Sequence, residues 1–260
     1  MSRASLQSLA LLVALVVACN SPDSTLRHEP SGIELVLIPA GRFTMGSPAD
    51  TSGRESQETL HQVTISRAFY LGRTEVTQRQ WQRVMGTNPS HFQGCDECPV
   101  ETVTFHDIEA FLGRLNRDGG VRFRLPTEAE WEYACKASGD RPFGALDSLG
   151  AADANIDGRF PYNAPAAAAS KGTLPVARFP PNAWGLSDMS GNVWEWVQDE
   201  HCPYPDAAVT DQVGACKSPL RVIRGGSWAF DGNSARCALR YTHRPQDRGY
   251  SLGFRIARDR

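Results

Sequence analysis

Three side chains with hard oxygen donors fall within eight residues of one another: Asp188, Asn192 and Glu195. The Ser190-Gly191-Asn192 stretch between them reads as a tight turn, where backbone carbonyls can also point inward. Carboxylate, amide and carbonyl oxygens suit calcium better than zinc or copper. Trp184, Trp194 and Trp196 flank this polar centre and would close it off with apolar surface. The competing account is a buried aromatic turn whose polar groups merely satisfy the backbone, since short acidic turns are common. A second candidate is Cys95-Asp-Glu-Cys98. Such a pair can be a redox centre, half of a zinc site or a small disulfide. The chain has no second C-x-x-C and no thioredoxin-like strand–helix context here, which favours a loop staple. Glu128, Glu130 and Glu132 offer carboxylates for acid–base work, but acids in a helix's first turn are explained by its dipole and cap. His61 stands alone, more in keeping with a structural or exposed histidine than with a ligand.

The elements that would position these residues announce themselves mainly through capping. Thr77-Gln-Arg-Gln80 fits a capping box, followed by Trp81, Val84 and Met85 on one face. Thr104 caps a second helix carrying Ile108, Phe111, Leu112 and Leu115, which Gly119-Gly120 would end. Thr127-Glu-Ala-Glu130 opens a third, with Trp131, Ala134 and Cys135 on its buried side. Strands are expected at Ile33–Ile38, around Phe43-Thr-Met45, at Val63–Ile65 and at Ala68–Leu71. Between Gly139 and Pro181 periodicity vanishes, and a loop of that length either carries function or is locally disordered.

The first eighteen residues read as a targeting segment, with Arg3 ahead of a Leu9–Ala18 apolar run too short to span a bilayer. Val16-Val-Ala-Cys19 resembles a bacterial lipoprotein signal, in which Cys19 becomes the lipidated first residue; an ordinary secretory signal is the alternative. Asn20 follows the cysteine in place of an inner-membrane-retaining Asp, which favours the outer membrane. Residues 19–32 read as a tether, because this polar stretch has prolines and no periodicity. Residues 33–260 are enough for one domain with a sizeable core. With 23 glycines and 17 prolines the full chain should be rich in turns. A formal net charge of −2 without a basic block gives nucleic-acid binding no electrostatic support.

Gly185-Leu-Ser-Asp-Met-Ser-Gly-Asn-Val-Trp-Glu-Trp196 closely resembles the hallmark of the formylglycine-generating enzyme family, the sulfatase-modifying factor domain. Arg124-Leu-Pro-Thr-Glu-Ala-Glu-Trp-Glu-Tyr133, Arg224-Gly-Gly-Ser-Trp228, Leu252-Gly-Phe-Arg255, Ile38-Pro-Ala-Gly-Arg-Phe-Thr-Met-Gly-Ser47 and Glu75-Val-Thr77 match it too, in family order. The resemblance implies a single α+β, loop-rich domain of the C-type-lectin-like kind. It implies one calcium held by the side chains of Asp188 and Glu195 and the carbonyls of Gly191 and Val193. A second calcium site matches at the Asn155 side chain and the Ile156 carbonyl. Its downstream carboxylate is not matched, since the expected region reads Ala166-Ala-Ala-Ala169, with Asp157 as the one acid placed to substitute. The resemblance also implies a Cys135–Cys237 disulfide; Cys202 and Cys216 then bracket one loop, and Cys95 and Cys98 remain.

In this family the active site is a pair of cysteines five residues apart, just after Gly-Gly-Ser-aromatic, holding copper(I) as thiolates. Here the stretch runs Gly225-Gly-Ser-Trp-Ala-Phe-Asp-Gly-Asn-Ser-Ala-Arg-Cys237. Counted from the glycines, the thiol positions fall on Phe230 and Ala235; counted back from Cys237, the second falls on Gly232. Neither register supplies a thiol, so copper is not expected and no catalytic residue is assigned. Three classes compete. One is an oxidase making formylglycine on a sulfatase cysteine, with a non-standard metal site that could involve Cys95 and Cys98. Another is a non-catalytic envelope module that binds a protein partner or serves structure. The third, an iron-dependent sulfoxide synthase, is poorly supported because no facial triad is visible. The reading that results is a lipid-anchored, non-catalytic module of the bacterial cell envelope.

Overall fold

The computed structural model describes residues 25–117 and 120–260. The leader and the lipidation position Cys19 lie outside these residues. Within these residues, twelve short strands and three α-helices are arranged around three sheets. The largest sheet has the order β1 (Thr25–His28), β2 (Ile33–Ile38), β5 (Phe69–Gly72), β12 (Ala257–Asp259) and β6 (Phe123–Arg124). It therefore joins the two ends of the domain through β5 and β12. A second sheet runs β10 (Arg240–His243), β9 (Arg221–Arg224), β7 (Trp194–Glu200), β11 (Leu252–Gly253). The third is β3 (Gly41–Met45), β4 (His61–Ile65), β8 (Val209–Thr210).

The helices begin where the capping chemistry places them. Thr77 and Gln80 form the box that opens α1 (Gln78–Met85), and Thr127 and Glu130 the box that opens α3 (Glu128–Lys136). Thr104 is joined by Asp107 in a third box at α2 (Phe105–Leu115). Each box satisfies two orphan N–H groups with short side chains.

Two expectations are corrected. Residues 25–28, placed in the tether, form β1 and pair with β2 in the register Thr25↔Val36 to His28↔Ile33. This edge strand is exposed or half-buried throughout, so it carries no apolar alternation to betray it. Helix α2 stops at Leu115 and does not continue to the glycine pair. There the Asn116 amide receives the Phe123 N–H and donates to the Phe123 carbonyl, both at 2.8 Å, drawing the chain into β6.

Two large apolar clusters make the core. One packs α1 and α2 against the C-terminal strands, with Trp81 stacked on Phe111 at 5.1 Å and Phe254 edge-on to both. The other surrounds Trp131, Met45, Val63 and the Cys135–Cys237 disulfide. Residues 139–181 are tied by isolated bridges such as Leu149↔Tyr162 and Asp157↔Ala169, over a small cluster of Phe143, Leu149, Ile156, Tyr162 and Ala235.

Among the described residues four arginines are fully buried, and each meets a carboxylate. Arg224 binds Glu132, Arg236 binds Glu58, Arg240 binds Glu128 and Arg255 binds Glu195. Glu128 and Glu132 point inward from α3, whose residues Glu128–Cys135 are all buried. The glutamates are thus structural, though by ion pairing as well as by the helix dipole. Losing one partner of such a pair costs about 3–5 kcal/mol, because the other charge stays behind in the interior.

Candidate functional site

The loop from Gly225 to Cys237 is where the thiols of the oxidases would stand. Gly225 and Gly226 have φ of 95° and 70°, and a Cβ on Gly226 would lie 2.9 Å from the Ala235 backbone. Only glycine fits that left-handed, crowded corner. Beyond it, the Trp228 N–H donates to the Asn192 carbonyl, and Asp231 caps a 3-10 turn at Gly232–Ala235. Phe230 is 38% exposed and lies edge-on to Trp194 at 5.5 Å. Ala235 is fully buried under Tyr162 and Phe143. Gly232 is held against Tyr162, whose backbone nitrogen would be 2.5 Å from any Cβ. None of the three positions has a side chain that can ligate copper. The surface around them is aromatic: Trp228 lies between Phe92 and Tyr250 at 5.4 and 5.7 Å, and Tyr241 lies by Trp194 at 5.8 Å.

All six cysteines of the domain are paired. Cys135–Cys237 ties α3 to the end of this loop, Cys202–Cys216 closes the segment after β7, and Cys95–Cys98 is a local staple. Among the described residues no thiol remains to ligate copper.

The Trp184–Trp196 stretch forms the second centre. Asp188, Gly191 and Asn192 all have positive φ, at 55°, 85° and 63°. A Cβ at Gly191 would sit 2.5 Å from the Asn155 carbonyl oxygen, so the turn closes directly on the 155–156 segment. Glu195 is buried at the start of β7. Its Oε2 accepts from Trp131 Nε1 at 2.8 Å and Arg255 Nε at 2.6 Å, and its Oε1 accepts from Arg255 Nη2 at 2.7 Å. Each carboxylate oxygen has two lone-pair sites, so one site on Oε1 is left over. Asp188 is half-buried; its Oδ2 accepts the Ala177 N–H at 2.6 Å, and its carbonyl accepts Arg255 Nη2 at 3.2 Å. Val193 is fully buried, with its side chain beside Gly253.

A third acid joins Asp188 and Glu195. Glu75, between β5 and α1, is fully buried, and neither of its carboxylate oxygens has a hydrogen-bond partner. It faces the Asp188 carboxyl, acceptor to acceptor unless a proton or cation lies between them. Burial, reinforced by Asp188 and Glu195, holds Glu75 well above the usual carboxylate range. Burial also raises Asp188, against the pull of the Ala177 N–H and Arg255. Glu75, Asp188, Glu195 and Arg255 thus form one buried cluster of ionisable groups.

The 155–156 position is built differently. The Asn155 Oδ1 accepts the Ser170 hydroxyl at 2.6 Å, and its Nδ2 donates to the Gly172 carbonyl and to Asn192 Oδ1. Ile156 is buried in the small apolar cluster. Asp157 does not supply the unmatched carboxylate: it turns to Arg159, with contacts of 2.6–3.2 Å, and that pair holds its carboxyl below the usual range. Asn155 thus has neutral partners, and no acid joins it.

Sequence reasoning identified Asp188 and Glu195, which the structure brings together on Arg255. It missed Glu75 as a member of that centre, although Glu75-Val-Thr77 was visible as a motif. An acid two residues before a helix cap looks like an ordinary surface acid. Only its burial marks it out.

The sulfatase-modifying factor enzyme 1-like domain model matches residues 22–260. The formylglycine-generating enzyme of Mycobacterium tuberculosis is 36% identical over 304 residues, covering 87% of this chain and 98% of that one. Chaperone protein LppX of Paenibacillus barcinonensis is 28% identical, covering 97% of this chain and 99% of its own. The solved structure of PvdO from Pseudomonas aeruginosa superposes with a TM-score of 0.79 at 30% identity, covering 91% of this chain and 98% of that one. The chain belongs to the sulfatase-modifying factor family, and its fold is the α+β, C-type-lectin-like fold of that family.

Proposed function

We propose that this chain is a lipid-anchored, non-catalytic member of the family, which uses the scaffold to bind or stabilise a protein partner in the bacterial cell envelope. The observation that carries the proposal is the Gly225–Cys237 loop. It presents Phe230, Gly232 and Ala235 where thiolates would hold copper, while every domain cysteine is consumed in a disulfide. Without thiolates there is no soft-ligand site to bind copper(I) or to activate dioxygen. The relative named as a chaperone shows that the family includes proteins named for something other than oxidation. Calcium, held through Asp188, Glu195 and the carbonyls of Gly191 and Val193, would lock the turn that carries the hallmark motif. That ion has a stabilising role in this reading and no part in a reaction.

The test is incubation of the full chain with copper(I), oxygen and a sulfatase-motif peptide, followed by mass spectrometry. The proposal expects formylglycine no faster than with copper alone. Turnover above that background would restore the rival oxidase reading, with Cys95 and Cys98 reduced to thiols as its first suspects.

A further inference from the structure

We propose that the end of the largest sheet where the chain enters β1 faces the membrane, and that Arg67 and Arg122 there bind the phosphates of anionic lipid headgroups. The proposal rests on the lipid-anchor reading and adds to it an orientation and a class of lipid.

The sheet register carries the orientation. Thr25 pairs with Val36, Val36 with Leu71, Leu71 with Ala257 and Ala257 with Arg124, so Thr25 and Arg124 share one row. Beyond that row β2 runs on to Ile38, β5 begins at Phe69, β12 ends at Asp259 and β6 begins at Phe123. Arg67 lies just before β5 and Arg122 just before β6, so both stand at the end from which β1 enters the sheet. Neighbouring strands are about 4.8 Å apart, which makes the sheet about 19 Å wide from β1 to β6. Residues 19–24 reach about 20 Å even when fully extended. A lipid on Cys19 therefore holds this end of the sheet within one short tether of the bilayer.

The chemistry at that end suits a phosphate. Arg67, Arg122, Arg124 and Arg260 line a cavity of about 710 Å³ together with Glu130, Asp211 and Asp259. Each acid is already taken up within the protein. Arg124 holds both oxygens of Glu130 and one of Asp259 at 2.7 Å, and Asp211 accepts from the Ser66 N–H and hydroxyl. Arg67 and Arg122 are exposed, and neither has a hydrogen bond or ion pair to another described residue. A guanidinium presents a planar fork of donors that matches phosphate oxygens. Val121, next to Arg122, and Val213, on the cavity wall, are exposed apolar side chains suited to the headgroup boundary. The opposite end of the sheet is arranged differently: at the β1–β2 turn Arg27 meets Glu29 and Glu34, and Arg83 donates to the Ser31 carbonyl.

The experiment reconstitutes the lipidated full chain, its acylation checked by intact mass, into vesicles of phosphatidylcholine alone or with phosphatidylglycerol. Arginines are labelled with phenylglyoxal and located by mass spectrometry, with Arg83 as the remote control. Arg67 and Arg122 should label about fivefold less on the anionic vesicles, the factor that one basic residue gains at such a surface. High salt should abolish the difference, because it screens exposed charges, and Arg83 should label alike throughout. Equal labelling on the two kinds of vesicle, or protection of Arg83 in place of the other two, would overturn the proposal while leaving the anchor standing. Protection by inorganic phosphate without vesicles would make this a site for soluble anions and overturn it as well. A chain that carries no acyl group would overturn the anchor reading, and the proposal would fall with it.

Discussion

At the scale of single residues, Asp188 and Glu195 have separable roles although both read as calcium ligands. Glu195 is also the counter-ion of the buried Arg255. Glu195→Gln should therefore cost about 3–5 kcal/mol with or without calcium, because it leaves a guanidinium unpaired in the interior. Asp188→Asn can keep its bond from the Ala177 N–H, and asparagine tolerates the positive φ at that position. It should leave the chelated protein almost unchanged and shrink the increment that calcium adds through binding only the folded state. Thermal melts in chelator and across a calcium series check both. Equal destabilisation of the two variants in chelator would show that the division of roles is wrong. The two acids were legible because they are close in sequence. Their arginine was not, since sixty residues separate Glu195 from Arg255.

At the scale of elements, the helix starts were legible because a capping box is a local pattern of four residues. The ion pairs joining α3 to the C-terminal strands were not, because pairing there depends on distant chain segments; Arg236 and Glu58 are 178 residues apart. Asp199 on β7 shows what such burial does. It accepts the Glu128 N–H at the start of α3 and the Gly214 N–H of the disulfide-closed loop. Burial, with the Glu128 charge beside it, pushes its pKa up from 3.8 to about 7 despite those two donors. The folded state then holds a proton that the unfolded state has already released between about pH 4 and 7. The contribution of Asp199 to stability is therefore full below about pH 4 and is lost as pH rises through about 7. Asp199→Asn should remove that slope, worth on the order of a few kcal/mol across the window. Denaturant titrations of both proteins between pH 4 and 8 measure the difference. A difference in stability that stays constant across this range would contradict the shift.

At the scale of the whole molecule, fold and family followed from motifs spread along the chain, whereas activity depended on one loop where the motifs stop. The thiols of the oxidase pattern were absent from that loop, and the structure adds what stands there instead: one position is a surface phenyl ring, another is packed in the core, and the neighbouring cysteine is tied to α3. The aromatic surface around Trp228 was not legible, because Phe92, Trp228 and Tyr250 come from three separate segments. The N-terminal anchor is tested independently of all this. Intact mass of the protein extracted from native membranes should show a chain beginning at Cys19 and carrying acyl groups, each buried methylene adding about 0.8 kcal/mol of membrane affinity. An unmodified N-terminus, or recovery in the soluble fraction, would contradict the anchor. The central claim, that this is the family scaffold with no thiol left for copper, is tested most directly by counting thiols. Exported protein, denatured without reductant, should be alkylated and mapped by mass spectrometry. The account predicts no alkylated cysteine within residues 33–260 and linked peptides for Cys95–Cys98, Cys135–Cys237 and Cys202–Cys216. Recovery of two free thiols from the domain would contradict it.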